Sequence, residues 1–372
     1  MTPRRNITIN VLLVVCSLLL SFGLLELFLR ASDYPRREAK LLCLDPVVRN
    51  VFCPNVSALA PGTNVPITIN KDGMADREYA YSKSPKTTRI ALLGDSVTAS
   101  IYTPLDRKFE QLWETALTQW TGQAVEVLNF AVDGTGTWEQ LQLFHLRARN
   151  FQPDYVMLGF FWGNDVWNNL ASLSRKRPNP LNDEYGASTF VTTVKVAHRN
   201  TVRWLWNHSA AFQLLDTLKT TVETQFDYKR AQQPVDVPGA AAAPPQAVDD
   251  PALAWDSDAW DLTRRLILKL KAESDAADAR LVVFSLPMLD QITRSRALPY
   301  REFQAFLGAH GITHLDAFAD LMRLTEEQKK ALYMDGAHLT DEGHRFFAGA
   351  TLPKLQALLA STPRAAMAGA AR

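Results

Sequence analysis

The sequence has few cysteines, almost no net charge and only one long hydrophobic run. Its 372 residues include three cysteines, with no CxxC pair among them, which excludes a disulfide scaffold and a cysteine-based zinc site. The 40 Lys and Arg residues are balanced by 39 Asp and Glu residues, so the basic excess of a nucleic-acid-binding protein is missing. Ordinary contents of 17 Gly and 20 Pro exclude a collagen-like or wholly disordered chain. A globular protein remains, with one large domain or two small ones.

The hydrophobic run lies near the N-terminus, where residues 6–25 carry no charge. About twenty apolar residues are enough to cross a hydrocarbon core roughly 30 Å thick. A buried helix would rarely be apolar on every face, and a cleaved signal peptide usually has a small-x-small site after the run. Leu27-Phe28-Leu29-Arg30 follows instead. The sequence therefore favours an uncleaved, single-pass signal anchor that contacts the membrane through residues 7–29.

The sequence does not indicate clearly which end of this anchor faces the cytoplasm. Arg4 and Arg5 precede the run and four basic residues follow it, so the positive-inside count does not favour a cytoplasmic N-terminus. An anchor joined to a soluble domain is more often exported than not, so we expect that domain on the periplasmic or outer side. In such an oxidising compartment, Cys43 and Cys53 either close a small disulfide or remain free thiols.

Beyond residue 85, short apolar runs alternate with amphipathic stretches. The pattern predicts strands at 89–94, 125–130, 154–158, 281–285 and 312–316. It predicts helices at 109–120, 138–150, 261–276 and 340–360. This alternation is typical of βαβ units, and it predicts an α/β fold whose parallel sheet is covered on both faces.

One stretch, residues 166–258, interrupts the alternation because it holds no convincing strand. Its middle, 194–228, is predicted to be helical, and 232–245 is of low complexity. We expect a partly helical, partly disordered insertion over the main domain. The predicted organisation is a cytoplasmic stub and anchor at 1–30, a lead-in segment at 31–85, the main domain at 86–361 and a flexible tail at 362–372.

Polar residues follow the predicted strands at the points where the strands end. Ser96 follows the first strand, Gly134 the second and Asn164 the third, while Asp335 and His338 precede the last helix. Ligands of open α/β sheets bind beyond the carboxyl ends of the strands, so these residues are expected at one edge. Acyl transfer through serine needs a nucleophile, a base, an orienting carboxylate and donors for the oxyanion. All four parts are present.

Each residue also has a simpler explanation. Ser96 is a good N-cap for the helix after it, and Gly134 and Asn164 suit turns or caps. His338 could be an exposed loop residue. A metal site that includes His338 and His344 is not favoured, because no further ligand is evident and the HExxH motif is missing. We expect neither a metal nor a cofactor.

Taken in order, the motifs resemble those of the SGNH hydrolases, the GDSL esterase/lipase superfamily. The resemblance rests on four blocks, Gly94-Asp95-Ser96, Asn129 to Gly134, Gly163-Asn164-Asp165 and Asp335 to His338. The lead-in residues Asn70, Gly73, Arg77 and Glu78 also resemble those of membrane-anchored members.

The resemblance implies a role for each residue of the blocks. Ser96 would be the nucleophile, His338 the general base and Asp335 its orienting acid. The N–H groups of Ser96 and Gly134 would form the oxyanion hole with the Asn164 amide. Asp95 and Asp165 would give structural support. The implied fold is a three-layer α/β/α, flavodoxin-like arrangement with strand order 2-1-3-4-5.

The third block departs from the family pattern G-x-N-D. Trp162 occupies the place of its Gly, and Gly163 stands in the variable position. A Trp at this place is a candidate for narrowing or lining the acyl pocket. The insertion is the expected cap or lid.

Three functions are compatible with the sequence. The leading hypothesis is a membrane-tethered serine esterase that hydrolyses small acyl esters through an acyl-enzyme, with O-acetyl esters of cell-envelope glycans as candidate substrates. The first alternative is an O-acyltransferase of exopolysaccharide or cell-wall glycan that uses the same triad. The motifs do not separate these two, because the exclusion of water decides between them. The second alternative, a non-catalytic glycan-binding protein, predicts the loss of Ser, Asn or His, and none is lost.

Overall fold

The computed structural model describes residues 3–32, 40–174, 178–185, 190–216, 218–219, 254–293 and 298–361. The predicted tail at 362–372 and the low-complexity stretch at 232–245 lie outside these residues. The chain divides into two compact units. One comprises Met1–Lys40 and Ala197–Pro244, and the other comprises Leu41–Val196 and Pro245–Arg372.

The lead-in segment forms two antiparallel hairpins within the larger unit. Strands β1 (Leu42–Asp45) and β2 (Arg49–Phe52) make the first, and β3 (Val56–Leu59) and β4 (Pro66–Ile69) make the second. Cys43 and Cys53 form a disulfide across the first hairpin, with their Cα atoms 4.9 Å apart. Of the two possibilities that the sequence leaves open for these cysteines, the structure therefore shows the disulfide.

A five-stranded parallel sheet forms the centre of this unit. Its strands lie in the order β6-β5-β7-β8-β9. Every residue of β5 and β7 is buried, as expected for strands that are covered on both faces. The order is 2-1-3-4-5 in chain sequence, which confirms the predicted flavodoxin-like topology. The strand bounds are Thr88–Leu93 (β5), Val125–Asn129 (β6), Tyr155–Phe161 (β7), Arg280–Leu286 (β8) and Thr313–Leu315 (β9).

Helices cover the two faces of the sheet. Besides the helical segment at 210–216, the α-helices of the described residues in the two units are α1 (Pro3–Ala31), α2 (Ser96–Ala99), α3 (Phe109–Thr121), α4 (Thr137–Leu146), α5 (Asp165–Ser174), α6 (Phe190–His208), α7 (Asp258–Ala276), α8 (Leu289–Thr293), α9 (Tyr300–Ala309), α10 (Phe318–Leu321), α11 (Glu326–Ala331) and α12 (Asp341–Ser361). One core contains side chains of α3 and α12. The other contains side chains of α4, α7 and α9. These layers confirm the three-layer α/β/α class.

The expected insertion at 166–258 includes one helix of this layered core. Helix α5 packs against α4 and α7, and Val166 is buried in the core. The predicted insertion includes α5 because its start was placed where no further strand follows. The predicted helix 138–150 is α4 followed by a separate 3₁₀ turn at Ala148–Phe151.

The smaller unit contains α1, most of α6 and a helical segment at 210–216. Within Ile9–Ala31, the most apolar 18-residue window has a mean hydropathy of 2.5, and the helix is long and apolar enough to cross a membrane, as a signal sequence also would be. Glu26 of α1 accepts hydrogen bonds from the N–H groups of Ala210 and Ala211 and from the Ser209 hydroxyl. The first turn of the 210–216 segment is therefore capped by a carboxylate of α1.

Two glycines of α12 allow a stability test. A Cβ on Gly343 would lie 2.2 Å from the carbonyl oxygen of Leu332, whereas a Cβ on Gly349 would meet nothing within 4 Å. We expect Gly343→Ala to lower the free energy of unfolding by about 1–3 kcal/mol, because the helix must move away from a backbone atom. Gly349→Ala, the matched control, should raise it by about 0.5–1 kcal/mol. Urea unfolding followed by tryptophan fluorescence measures both, and equal effects would contradict the packing described.

Candidate active site

Ser96 lies in a tight turn immediately after β5. Gly94 allows the turn, because a Cβ there would lie 2.3 Å from Thr98 Oγ1. Asp95 is the N-cap of α2, and its carboxylate accepts the N–H of Val97 at 3.0 Å. Since Asp95 performs the capping, Ser96 is not needed as a cap. Its hydroxyl points to His338.

Ser96, His338 and Asp335 form a continuous hydrogen-bonded chain. Ser96 Oγ lies 3.1 Å from His338 Nε2, and His338 Nδ1 lies 2.7 Å from Asp335 Oδ2. Asp335 Oδ1 accepts the N–H groups of Ala337 and His338. Partial burial opposes the charged form of Asp335, but the hydrogen bonds from His338 and Ala337 outweigh it and lower its pKa. The carboxylate is therefore held ionised beside the imidazole. Ser96 and Asp335 are 239 positions apart in sequence, and the fold brings them to the same imidazole.

The three expected oxyanion donors follow β5, β6 and β7. Gly134 has a φ of +70°, a left-handed conformation that favours glycine. Within the described part of the chain, the N–H groups of Ser96 and Gly134 have no protein acceptor. The side chain of Asn164 lies beside the Asp95 carboxylate, and its Oδ1 is buried without a partner among the described residues.

Asp95 and Asp165 are fully buried beneath these groups. Burial and the charge of Asp133 raise the pKa of Asp95 to about 7. Burial, with the nearby Asp95, raises the pKa of Asp165 well above its ordinary value. Asp165 Oδ2 accepts the N–H of Phe161, the last residue of β7, at 2.9 Å. The contact fixes the turn that presents Asn164.

Two polar side chains hold α2 from below. The Asn129 amide donates to the carbonyl of Thr98 at 2.9 Å, and the buried Lys108 ammonium donates to the carbonyl of Ala99 at 2.8 Å. The Asn129 amide also donates to Glu110, whose pKa burial raises to about 7. Sequence reasoning did not single out Lys108 or Glu110, because they lie at the start of an ordinary amphipathic helix. Only the contact of Lys108 with α2 and that of Glu110 with Asn129 reveal their role.

The lead-in residues quoted for the family resemblance close a loop beside this site. Asn70 Oδ1 accepts the N–H groups of Asp72 and Met74, and its amide donates to the Arg77 carbonyl. The buried carboxylate of Asp76 then accepts the N–H of Asn129 at 3.2 Å. The loop thus supports the strand that precedes Gly134.

His344 does not belong to the hydrogen-bonded chain. Its Nδ1 accepts the N–H of Phe109, the first residue of α3, at 3.2 Å, and its ring stacks on that of Phe109. Burial lowers its pKa to about 3, so the imidazole is neutral in the folded protein. His344 is an acceptor for the start of a helix. Among the described residues, no group of three or more His, Cys, Asp or Glu side chains could hold a metal ion.

Trp162, the candidate for lining the acyl pocket, packs in the hydrophobic core. Its side chain is 8% exposed and packs against Phe160, Trp260 and Phe303. The small residue is needed at the next position, because a Cβ on Gly163 would lie 2.5 Å from the Phe161 ring. The glycine of the third block is therefore shifted by one residue, and the turn into Asn164 is kept.

A family of known proteins matches most of this chain. The family described as GDSL-like Lipase/Acylhydrolase matches residues 90–350. The chain belongs to this family. The resemblance inferred from the motifs is thereby confirmed, and family membership supports a hydrolase that acts on ester bonds. No curated protein matches the chain in sequence.

Solved structures with a similar fold have low sequence identity to the chain. LAE5, an alpha/beta hydrolase enzyme from the metagenome of Lake Arreo in Spain, is 12% identical over 73% of this chain and 96% of that one, with a TM-score of 0.41. The acetylxylan esterase Axe2 from Geobacillus stearothermophilus is 14% identical over 72% and 94%, with a TM-score of 0.40. A lipase/acylhydrolase from Enterococcus faecalis is 13% identical over 73% and 96%, with a TM-score of 0.38.

The structural role of His344 predicts a pH dependence of stability. Its pKa falls from 6.5 to about 3 on folding, so between these values only the unfolded chain takes up the proton. Stability from this group is complete above pH 6.5 and is lost as the pH falls towards 3. His344→Asn keeps an acceptor for Phe109 but removes the titration. We expect a shallower loss of unfolding free energy between pH 6.5 and 4 in the variant. Exposed His310→Asn, the matched control, should follow the wild type, and equal slopes in all three proteins would contradict the assignment.

Proposed function

We propose that the protein is a serine esterase that hydrolyses small acyl esters through a covalent acyl-enzyme. The observation that carries the proposal is the hydrogen-bonded chain from Ser96 Oγ through His338 to the ionised Asp335, beside two N–H groups without a protein acceptor. Serine becomes a nucleophile when an oriented base takes its proton, and this chain supplies the base and its orientation.

The first half of the reaction transfers the acyl group to Ser96. Ser96 Oγ attacks the ester carbonyl carbon, and its proton moves to His338 Nε2. The carbonyl oxygen becomes negative and accepts hydrogen bonds from the N–H groups of Ser96 and Gly134 and from the Asn164 amide. When the intermediate collapses, the carbon–oxygen bond to the alcohol breaks. His338 gives its proton to the departing alcohol oxygen.

The second half releases the acid and restores Ser96. A water molecule attacks the acyl carbon while His338 takes its proton, and the same three donors stabilise the oxyanion. Collapse breaks the bond to Ser96 Oγ, which takes the proton back from His338. Asp335 stays ionised throughout and holds the Nδ1–H of the imidazole.

The proposed location is the periplasmic or outer side of a membrane that α1 spans. The Cys43–Cys53 disulfide supports this location, because structural disulfides persist in oxidising compartments. The candidate substrates are therefore acyl esters of the cell envelope, with O-acetylated glycans first among them.

Replacing the nucleophile tests the proposal directly. Ser96→Ala should remove essentially all turnover of 4-nitrophenyl acetate by the full-length protein in detergent, because the members of a triad act as a unit. The α2 cap is unaffected, since Asp95 supplies it. Labelling of Ser96 by a fluorophosphonate, detected by mass spectrometry, should disappear in the same variant. Ser57→Ala, at an exposed serine of β3, is the control and should keep both signals. Turnover near the wild-type rate in Ser96→Ala would rule out the serine mechanism.

Replacing the amide donor tests the oxyanion hole. Asn164→Ala should lower kcat by about 100- to 1,000-fold while KM moves less, because the donor acts mainly on the charge of the transition state. Asn150→Ala is the control, since Asn150 is exposed and, among the described residues, its side-chain amide donates only to the Leu146 carbonyl. If KM rose steeply and kcat stayed constant, Asn164 would bind substrate and would not belong to the hole.

A further inference from the structure

The first hairpin brings one amide side chain to the oxyanion loop. A Cβ on Gly134 would lie 3.9 Å from Asn50 Nδ2, and, apart from the chain neighbours of Gly134, no other described group lies within 4 Å of that position. Asn50 is half-buried, and its side-chain amide has no hydrogen-bond partner among the described residues. An amide with unused donors therefore faces the loop that presents the Gly134 N–H.

The conformation of the hairpin holds Asn50 in place. Arg49, directly before it, has a φ of 82°, which is unusual for a residue with a side chain. The turn is fixed by Asp45, which accepts the N–H groups of Val47 and Val48 and pairs with Arg147 at 3.0 Å. A left-handed residue at the end of a short hairpin loop is ordinary turn geometry, and here it sets where the next residue, Asn50, leaves the turn.

A carboxylate next to Gly134 also lacks a partner. Oδ1 of Asp133 is buried and has no hydrogen-bond partner among the described residues. Asp133 acts electrostatically on His338, so the two side chains lie in the same region of the site. A buried carboxylate oxygen without a donor is costly, and the cost falls when a ligand supplies the donor.

A phenol lies next to His338. The ring of Tyr102 makes an edge contact with the His338 imidazole, at 5.4 Å between centroids. Tyr102 is half-buried, and its hydroxyl has no hydrogen-bond partner among the described residues. Burial and the charges of Asp133 and Asp335 raise its pKa, so the phenol remains a donor at neutral pH.

We propose that Asn50, Asp133 and Tyr102 form a subsite for a hydroxyl-bearing alcohol, such as a sugar ring, on the leaving side of the ester. This inference rests on the proposed function, because His338 must deliver its proton to the alcohol oxygen and Tyr102 contacts His338. The three groups offer donors and acceptors, which match sugar hydroxyl and ring oxygens and do not suit an alkyl chain. The aromatic side chain of Trp162, which would suit an apolar group, is buried in the core.

The test compares a sugar ester with an aryl ester. The probes are acetylated xylotriose and 4-nitrophenyl acetate, assayed with the full-length protein in detergent. In Asn50→Ala, Asp133→Asn and Tyr102→Phe, the ratio of kcat/KM for the sugar ester to that for the aryl ester should fall roughly 5- to 30-fold, as expected for one lost hydrogen bond each. Asn150→Ala is the matched control, and its ratio should equal that of the wild type.

A binding measurement separates this inference from the proposed chemistry. In the Ser96→Ala background, calorimetry gives the Kd of acetylated xylotriose without turnover, and adding Asn50→Ala should raise that Kd by a similar factor. If the wild type hydrolyses no ester but Asn50→Ala still weakens binding, the chemistry fails and the subsite stands. Unchanged ratios and an unchanged Kd overturn the subsite, even if Ser96 proves to be the nucleophile. A Ser96→Ala protein that does not bind acetylated xylotriose overturns it as well.

Discussion

The position of Ser96 depends on two hydrogen bonds to the end of a four-residue helix. A single helical turn is not stable by itself, and its last carbonyl groups have no partner within the helix. Asn129 and Lys108 donate to the carbonyls of Thr98 and Ala99 and hold the turn against the end of the sheet. Without these donors, α2 would be held less firmly, and the distance of 3.1 Å between Ser96 Oγ and His338 Nε2 would not be maintained.

The same region shows how buried charge is accommodated. Lys108 and Glu110 are both almost fully buried, and each has partners, so neither charge is isolated. Burial opposes the charged form of such groups, and their hydrogen bonds offset part of that cost. For Glu110 the cost prevails, because burial raises its pKa to about 7. The base of the site is polar and closely connected, whereas the packing around the sheet is apolar. The polar contacts therefore fix the geometry of the site, whereas the apolar packing supplies the stability of the fold.

The sequence predicts the sheet well because its central strands are short and apolar on both sides. It predicts β5 and β6 to within one residue at each end, while the hairpins of the lead-in segment are missed because four-residue strands show no clear alternation. The residues of the site could be chosen from their order along the chain and from the family resemblance. The proximity of Asn50 to Gly134 could not be predicted, because the two residues are 84 positions apart and no pattern in either segment indicates that they meet. The separate role of His344 depends in the same way on a contact with Phe109.

The contact of Glu26 with residues 209–211 has a consequence for proteolytic processing of the chain. A signal peptidase that cut after α1 would remove the only carboxylate that these residues use, among those described. The N–H groups of Ala210 and Ala211, both buried, would then lose their acceptor. Maturation by cleavage would therefore destabilise the first turn of the 210–216 segment.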